Sequence, residues 1–222
     1  MISATEVARR LDEATAKRRI LEHPFYEAWA AGSLTLDDLG SYSAQYWRQV
    51  EAFPTYLTNL AESLPHGTAR KIVESNLRDE VDGDHAGLWL KFAAGVGSDE
   101  LKVTTTPPTA ETRRCVHAFE TATSRSSSYA LGMVYGYESQ TPAVAQTKVA
   151  GLRDHYGIDG PATDYFELHG NIDVHHSREL AEAIALTSDG SLEEAEAGAA
   201  AGAEAIWMLL DGVERLRQHS TN

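Results

Sequence analysis

The sequence has a single cysteine, Cys115, among 222 residues. A disulfide framework within the chain is therefore impossible, and metal sites built from paired cysteines are excluded. One unpaired thiol suits a reducing compartment. A chain of this length buries enough apolar surface to fold without such crosslinks. Apolar residues make up 42% of the chain, which excludes a disordered protein.

Long apolar segments are also missing. The most apolar stretch, Ala199–Leu210, is interrupted by Glu204, whereas a membrane-spanning helix needs roughly 18–20 apolar residues. The first residues show neither the apolar centre nor the cleavage site of a secretory signal. Basic residues are few: 19 Lys and Arg stand against 33 Asp and Glu, a formal net charge of −14. Bulk electrostatics therefore argue against a nucleic-acid or membrane partner, and we expect a cytoplasmic protein.

Strand patterns are scarce as well. Only Leu101–Thr106 approaches the alternation expected of a strand, and because it leads into Pro107 and Pro108 we predict a loop there. Helical periodicity predicts helices over Ser3 to about Ile20, His23–Ala31, Thr35–Leu64 with a kink or division at Pro54, Gly67–Val81, His85–Ala94, Thr109–Ser124, Ser127–His155, Ala162–Leu186 and Ser191–His219. The sequence thus predicts an all-α fold, a single bundle of about seven to nine helices over residues 1–222.

Three potential metal ligands share one predicted helix. His169, Asp173 and His176 are spaced i, i+4 and i+7, and at about 100° per residue these positions fall within an arc of roughly 60°. Two imidazoles and one carboxylate are a favoured ligand set for non-haem iron or manganese. The alternative is a solvated polar face, which apolar neighbours such as Phe166 oppose. His175 lies around the helix from this face, where it either supports a ligand or is exposed.

A carboxylate in an apolar helix provides a fourth potential ligand. Glu138 lies in a stretch rich in Tyr, Gly, Leu, Met and Val, and a buried carboxylate is costly unless it is paired or binds a metal. Gly132 and Gly136 allow another helix to approach closely on a different face. Lys148, ten residues after Glu138, could reach the same cavity, although most lysines are exposed on the surface.

The last potential ligands, Glu80 and His85, are five residues apart. A regular helix would place them about 140° from each other, so both can face one site only if the helix breaks between them. Gly83 offers a place for that break. The alternatives are an acidic, solvated helix end, or a different carboxylate beside His85, from Asp79, Asp82 or Asp84.

Carboxylates and imidazoles from three predicted helices would then meet inside one bundle, as they do in carboxylate-bridged dinuclear sites. The six potential ligands are Glu80, His85, Glu138, His169, Asp173 and His176. They supply enough hard donors for two ions with open positions for O₂. Iron and manganese both accept oxygen and nitrogen ligands of this kind, so either two irons or iron with manganese fit the pattern.

These residues resemble those of the haem-oxygenase-like dinuclear oxidases, and within them the family of the chlamydial death-domain-associating protein, which makes para-aminobenzoate for folate. The likeness covers most of the chain. It is carried by His23–Tyr26, Gln45–Trp47, Ala52–Leu57, Asn76–Leu77, Asp79–Glu80, His85, Leu88–Trp89, Tyr137–Pro142, Lys148 and the spacing of His169, Asp173 and His176. The interval from Glu80 to His85 is shorter than the one in the family.

The resemblance implies a haem-oxygenase-like helical bundle, as in the thiaminase-like and quinone-cofactor enzymes, with all six potential ligands on two metal ions. It implies that the ring of Tyr26 becomes the aminobenzoate and that Lys148 donates the amine. O₂ would be the co-substrate, an external reductant would be needed, and a homodimer is possible. Tyr135 and Tyr137 are, with Tyr26, candidates for carrying a radical, although buried tyrosines usually fill the core.

Three other functions stay open. A thiaminase-like enzyme needs a cysteine nucleophile in the helix of Glu138, but Cys115 lies one helix earlier. A regulatory protein that binds a partner through its helical surface would tolerate loss of the six potential ligands. An oxidase acting on an external amino acid or fatty acid would use the same metals with multiple turnovers, and would not need Tyr26 or Lys148.

Overall fold

The computed structural model describes residues 2–187 and 192–220. Within this part of the chain the secondary structure is helical, without strands. Eleven α-helices follow in order: α1 (Ala4–Thr15), α2 (Pro24–Ala30), α3 (Leu36–Ser63), α4 (Thr68–Asp82), α5 (His85–Gly95), α6 (Glu100–Thr105), α7 (Ala110–Glu120), α8 (Ser127–Glu138), α9 (Thr141–Tyr156), α10 (Asp164–Leu186) and α11 (Leu192–Ser220). The all-α class is confirmed.

Helix starts lie where the capping residues predict them. The Ser3 hydroxyl accepts a hydrogen bond from the Glu6 backbone amide, which satisfies one of the unpaired donors of the first turn. Thr35 and Asp38 form a complete capping box at the start of α3. This helix continues through Pro54 without division. Ser191, the predicted first residue of the last helix, lies outside the described residues.

The helix count exceeds the predicted seven to nine because two local interpretations were wrong. The predicted loop at Leu101–Thr106 is instead helix α6, whose start is capped by Asp99. The predicted helix Ser127–His155 is divided into α8 and α9. Pro142 has no amide to donate to the Glu138 carbonyl, so the first helix ends there and the second begins.

The first helix is also shorter than predicted. It ends at Thr15, and two 3₁₀ turns, Ala16–Arg18 and Ile20–Glu22, replace its predicted last turn. The side chain of Gln140 fastens this segment to the α8–α9 junction, since its Oε1 accepts from the Ile20 amide at 2.8 Å. This junction therefore has a partner far away in the sequence, which the local pattern does not reveal.

Glycines bring α8 and α11 into close backbone contact. A Cβ atom at Gly132 or Gly136 would collide with the carbonyl oxygen of Ala195 or Ala199. The predicted close approach of another helix on this face is confirmed, and α11 is the helix concerned. The opposite face of α8 is left free to carry Glu138 towards α10.

Helix α10 carries three of the six potential ligands and packs against α4, α5, α8 and α9. Its neighbours contribute the other three, Glu80, His85 and Glu138. None of the helices in the described ranges is long and apolar enough to cross a bilayer. The fold thus brings the potential ligands together inside the bundle.

The close contact of α8 with α11 is testable by Gly136→Ala. Alanine favours a helix by about 1 kcal/mol over glycine, but the new methyl group must displace the α11 backbone, and such overpacking typically costs about 1–3 kcal/mol. We expect a lower free energy of unfolding, measured by urea denaturation.

Gly170→Ala is the matched control, since Gly170 is also helical and an added Cβ would meet only the Ala145 Cβ at 3.8 Å. The control should be neutral or more stable than the parent. If Gly136→Ala is as stable as Gly170→Ala, the close contact between the two helices is not tight.

Candidate metal centre

The six predicted ligands lie in two neighbouring groups of three, and every one of the six side chains is buried. In each group the potential ligand atoms lie within 4.8 Å of one another. The first group contains Glu80, His85 and His169, and the second contains Glu138, Asp173 and His176. Each group draws on α10 and on at least one other helix, so it exists only in the folded protein.

The i, i+4, i+7 spacing on α10 places three side chains on one face of the helix, as the sequence predicts. His169, Asp173 and His176 are buried on one face of the helix, so the alternative of a solvated polar face is wrong. His175 points to the surface, where its side chain is 63% exposed and lies 3.2 Å from Glu179. The four residues therefore divide between an inner and an outer face.

A break between α4 and α5 brings Glu80 and His85 together. Helix α4 ends at Asp82, and Asp84 has a φ of 49°, which lies in the left-handed region. The chain turns there, so that His85 Nδ1 lies 2.7 Å from Glu80 Oε2. The predicted break near Gly83 is confirmed, and its cause is the reversal of the backbone at Asp84. Asp84 itself caps α5 by accepting from the Gly87 amide.

In the first group, the imidazole of His169 presents one particular nitrogen. Its Nδ1 lies 2.7 Å from the Tyr165 carbonyl oxygen, which can only accept. A proton is therefore held on Nδ1, and Nε2 is the nitrogen that faces Glu80 Oε1 at 3.7 Å. Burial alone would raise the pKa of Glu80, but hydrogen bonds from His169 and His85 lower it to about 2.

The second group contains two carboxylates close to each other. Burial and the neighbouring Asp173 carboxylate raise the pKa of Glu138 to about 8, although Asn76 donates a 2.8 Å hydrogen bond to its Oε1. His176 Nδ1 lies 3.5 Å from Asp173 and 3.9 Å from Glu138. Burial would lower the pKa of His176, but these carboxylates and Asp79 raise it to about 9.

Three buried polar atoms of the second group have no hydrogen-bond partner. They are Glu138 Oε2, Asp173 Oδ1 and His176 Nδ1. A buried charged or polar group without a partner is costly, whereas a cation between these atoms would satisfy them all. The donors are carboxylate oxygens and imidazole nitrogens, which suit iron and manganese. The residues therefore fit two first-row metal ions.

A small cavity beside the first group is lined by both Tyr26 and Lys148. The Lys148 side chain is 4% exposed, so the alternative of a surface lysine is wrong. Its Nζ donates to the Tyr42 hydroxyl at 2.6 Å, and the Tyr42 and Tyr26 hydroxyl oxygens are 3.1 Å apart. Burial lowers the pKa of Lys148 well below its ordinary value, which favours the neutral amine.

Tyrosines separate this cavity from the carboxylates. Tyr137, Tyr165 and His169 line both the cavity with Tyr26 and a smaller one beside Glu80 and Asp173. Burial raises the pKa of both phenols well above its ordinary value, so they stay protonated. The predicted catalytic residue Tyr137 thus lies between the two regions.

Tyr135, also predicted as a candidate radical carrier, lies elsewhere. Its hydroxyl donates to Asp12 at 2.9 Å, and it lines a surface groove against α1 rather than either of these cavities. Neighbouring helix positions face different directions, and position 135 faces α1. The radical role of Tyr135 stays a prediction, and its hydrogen bond to Asp12 fits the alternative, a structural tyrosine.

Three residues of the site were missed as functional candidates. Tyr42 and Tyr46 are four apart on α3, and both rings face Lys148 Nζ. Asn76 is four residues before Glu80 and holds Glu138. In each case the signal was a spacing of one helical turn, but spacing alone does not separate a site residue from a core residue.

Cys115 lies outside both cavities. It is fully buried on α7, with its Sγ 3.7 Å from Gln49 Oε1. Burial raises the pKa of its thiol, so the nucleophilic thiolate is disfavoured. The structure gives Cys115 the environment of a small core residue.

Comparison with known proteins agrees with this fold and site. A family described as iron-containing redox enzymes matches residues 41–211. A domain of unknown function with a haem-oxygenase-like fold, from Shewanella denitrificans, superimposes with a TM-score of 0.83 at 16% identity, covering 100% of this chain and 96% of that one.

Two curated relatives are named 4-aminobenzoate synthase. The protein from Nitrosomonas europaea is 33% identical, covering 92% of this chain and 89% of its own. The protein from Chlamydia muridarum is 36% identical, covering 77% and 74%. An all-α, haem-oxygenase-like bundle with two buried carboxylate–histidine groups defines the general class. The chain belongs to the family of iron-containing redox enzymes with this fold.

Because the potential ligands form two groups, removal of one ligand should affect the binding of one ion and not the other. Protein grown with iron and manganese should carry close to two ions per chain. His169→Ala should lose the ion of the first group and Asp173→Ala that of the second, so each should retain about one. Elemental analysis of the purified proteins measures this.

His175→Ala is the control, since it removes an imidazole from the same helix at an exposed position. It should keep both ions. Full occupancy in both the His169 and the Asp173 variants would show that these groups do not bind the metals.

The environment of Cys115 leads to a separate expectation. Cys115→Ser changes one buried atom outside both cavities, so enzymatic activity should stay within a few-fold of the parent. A loss as large as that of Glu138→Ala, measured in the same assay, would instead support a thiaminase-like cysteine nucleophile.

Proposed function

We propose that the protein is an O₂-dependent oxidase with two metal ions, and that it makes para-aminobenzoate from its own Tyr26 with Lys148 as amine donor. The observation that carries this proposal is the contact of both side chains with one hydroxyl group. Lys148 Nζ and the Tyr26 hydroxyl each lie within hydrogen-bond distance of the Tyr42 oxygen. The names of the curated relatives support the same product.

The chemistry of the product explains why this contact matters. Para-aminobenzoate has a carboxylate and an amine at opposite ends of a ring, and the tyrosine side chain has a carbon and a hydroxyl there. The ring carbon that bears the hydroxyl must therefore exchange its C–O bond for a C–N bond, with the oxygen leaving as water. The Cε–Nζ bond of Lys148 must also break, and hydrolysis would leave Cε as an aldehyde. The Cα–Cβ bond must break, and Cβ must be oxidised to the carboxylate, with O₂ as the oxidant. Lys148 lies near the hydroxyl end of Tyr26, where the nitrogen is needed.

The surroundings of Lys148 favour it as the nitrogen source. Only a neutral amine is nucleophilic, and burial favours that form because it lowers the pKa of Lys148 well below its ordinary value. Its Nζ lies 5.1 Å from the centre of the Tyr26 ring and 4.8 Å from that of Phe166. These rings exclude water, which would otherwise compete with the amine as the nucleophile.

The six buried ligands would hold two ions, either two irons or iron with manganese, and the ions would supply the electrons for reducing O₂. Tyr137 and Tyr165, which line both cavities, would pass oxidising equivalents to Tyr26, because tyrosine is among the easier side chains to oxidise. An external reductant would be needed to start the reaction. The protein's own contribution is to hold Tyr26, Lys148 and these phenols in place.

The sharpest test is the origin of the product atoms. Reduced, metal-loaded protein exposed to O₂ should release para-aminobenzoate without any added aromatic substrate, in at most about one equivalent per chain, since one Tyr26 is consumed. Tyrosine labelled in its ring and lysine labelled at Nζ, incorporated during growth, should appear in the ring and the amine of the product. Mass spectrometry measures both labels.

Variants separate this function from the alternatives. Tyr26→Phe removes the phenol, and Lys148→Arg keeps the charge but removes a readily deprotonated primary amine, so both should abolish the product and keep the metals. Tyr135→Phe, which removes a phenol outside the cavity, is the control. Labelled product from the Tyr26 variant would identify another tyrosine as the source. Product well beyond one equivalent from an added small molecule would indicate a multiple-turnover oxidase.

A further inference from the structure

Asp79 contacts the candidate ligand His176 on the side of its ring that faces away from Asp173 and Glu138. Its Oδ2 lies 3.1 Å from Nε2 of His176. A carboxylate accepts hydrogen bonds, so the proton in this contact belongs to Nε2. The other ring nitrogen, Nδ1, faces inward, 3.5 Å from Asp173 Oδ1 and 3.9 Å from Glu138 Oε1. The hydrogen bond therefore decides which nitrogen of His176 is directed at the second group.

The arrangement is the reverse of that at His169. There Nδ1 donates to the backbone carbonyl of Tyr165, and Nε2 faces Glu80. The two histidines stand seven residues apart on α10, yet they present opposite ring nitrogens to the site. A backbone carbonyl fixes the first histidine, whereas the second depends on a side chain that mutation can remove.

Asp79 is placed to orient His176 rather than to bind an ion itself. Its carboxylate contacts Nε2, on the side of the ring away from Asp173 and Glu138, and the side chain is 44% exposed. The His176 side chain is fully buried, so Nε2 would lose its protein acceptor without Asp79. The sequence left Asp79 open as an alternative carboxylate beside His85, but the carboxylate that lies beside His85 is that of Glu80.

We propose that Asp79 is a positioning residue that holds His176 as an Nδ1 ligand and thereby strengthens binding of the second metal ion. A carboxylate that accepts from the far nitrogen of a ligating histidine fixes the ring orientation and makes the near nitrogen a better donor. The inference rests on the metal-ligand assignment of the proposed function, but it does not depend on the product.

The experiment is an anaerobic titration of the metal-free protein with Co²⁺, which resolves two binding events by its absorption spectrum. Removal of such a carboxylate typically weakens metal affinity by about 10–100-fold. Asp79→Ala should show that loss for one of the two ions and leave the other unchanged. Asp79→Asn keeps an oxygen acceptor without the charge, so its loss should be smaller.

Asp82→Ala is the matched control, because it removes the same charge from an exposed position one turn along α4. It should bind both ions like the parent. The inference is wrong if Asp79→Ala binds both ions within twofold of the parent, or if Asp82→Ala is weakened equally. Asp173→Ala distinguishes failure of this inference from failure of the ligand assignment. If Asp173→Ala still binds two ions, the ligand assignment itself is wrong.

A second measurement reports the ring nitrogen directly. In Zn²⁺-loaded protein labelled with ¹⁵N histidine, NMR should show a slowly exchanging proton on His176 Nε2, with the metal on Nδ1. Asp79→Ala should make that proton exchange faster. Coordination through Nε2 in the parent protein would overturn the inference even if the affinity changes.

Discussion

The structure depends on the burial of three carboxylates and three imidazoles inside an α-helical bundle. Each carboxylate loses its hydration on burial, and the two in the second group also repel each other, which is why the pKa of Glu138 rises to about 8. Protonated imidazoles offset part of this charge, as the raised pKa values of His169 and His176 show. Two divalent cations would offset it more completely, so the same interactions that make the site costly to bury make it a strong metal site.

The helices are arranged to meet this constraint. The reversal at Asp84 places a ligand at the end of α4 and another at the start of α5. Glycines on one face of α8 let α11 pack closely, while the other face carries Glu138. The reversal at Asp84 thus lies beside two potential ligands, and the glycines of α8 lie behind a third. Helix α10 is continuous and carries three potential ligands. Helices α4, α5 and α8 pack against it and contribute one potential ligand each.

Helix periodicity was enough to predict the ligand face of α10, because His169, Asp173 and His176 depend on one helix alone. The pair Glu80 and His85 required a break, which Gly83 indicated but could not prove. Prediction failed in two ways. The α8–α9 division and helix α6 follow from local signals that were misinterpreted, Pro142 and the Asp99 cap. The contact of Gln140 with Ile20, 120 residues away, has no local signal. The Tyr42 bridge between Lys148 and Tyr26 was invisible for the same reason: three helices meet there.

Tyr26, the proposed source of the product ring, is also a residue of the buried core. Tyr26 is 1% exposed and packs edge-on against Phe25 and Tyr42. Loss of a buried aromatic side chain typically costs about 3–5 kcal/mol, because the surrounding core collapses only partly. Under the proposed reaction, a chain that has lost this ring could not recover it and would also be less stable than before. The side chain that would react is part of the core that supports the site, so the proposed reaction would consume the reactant and lower the stability in one step.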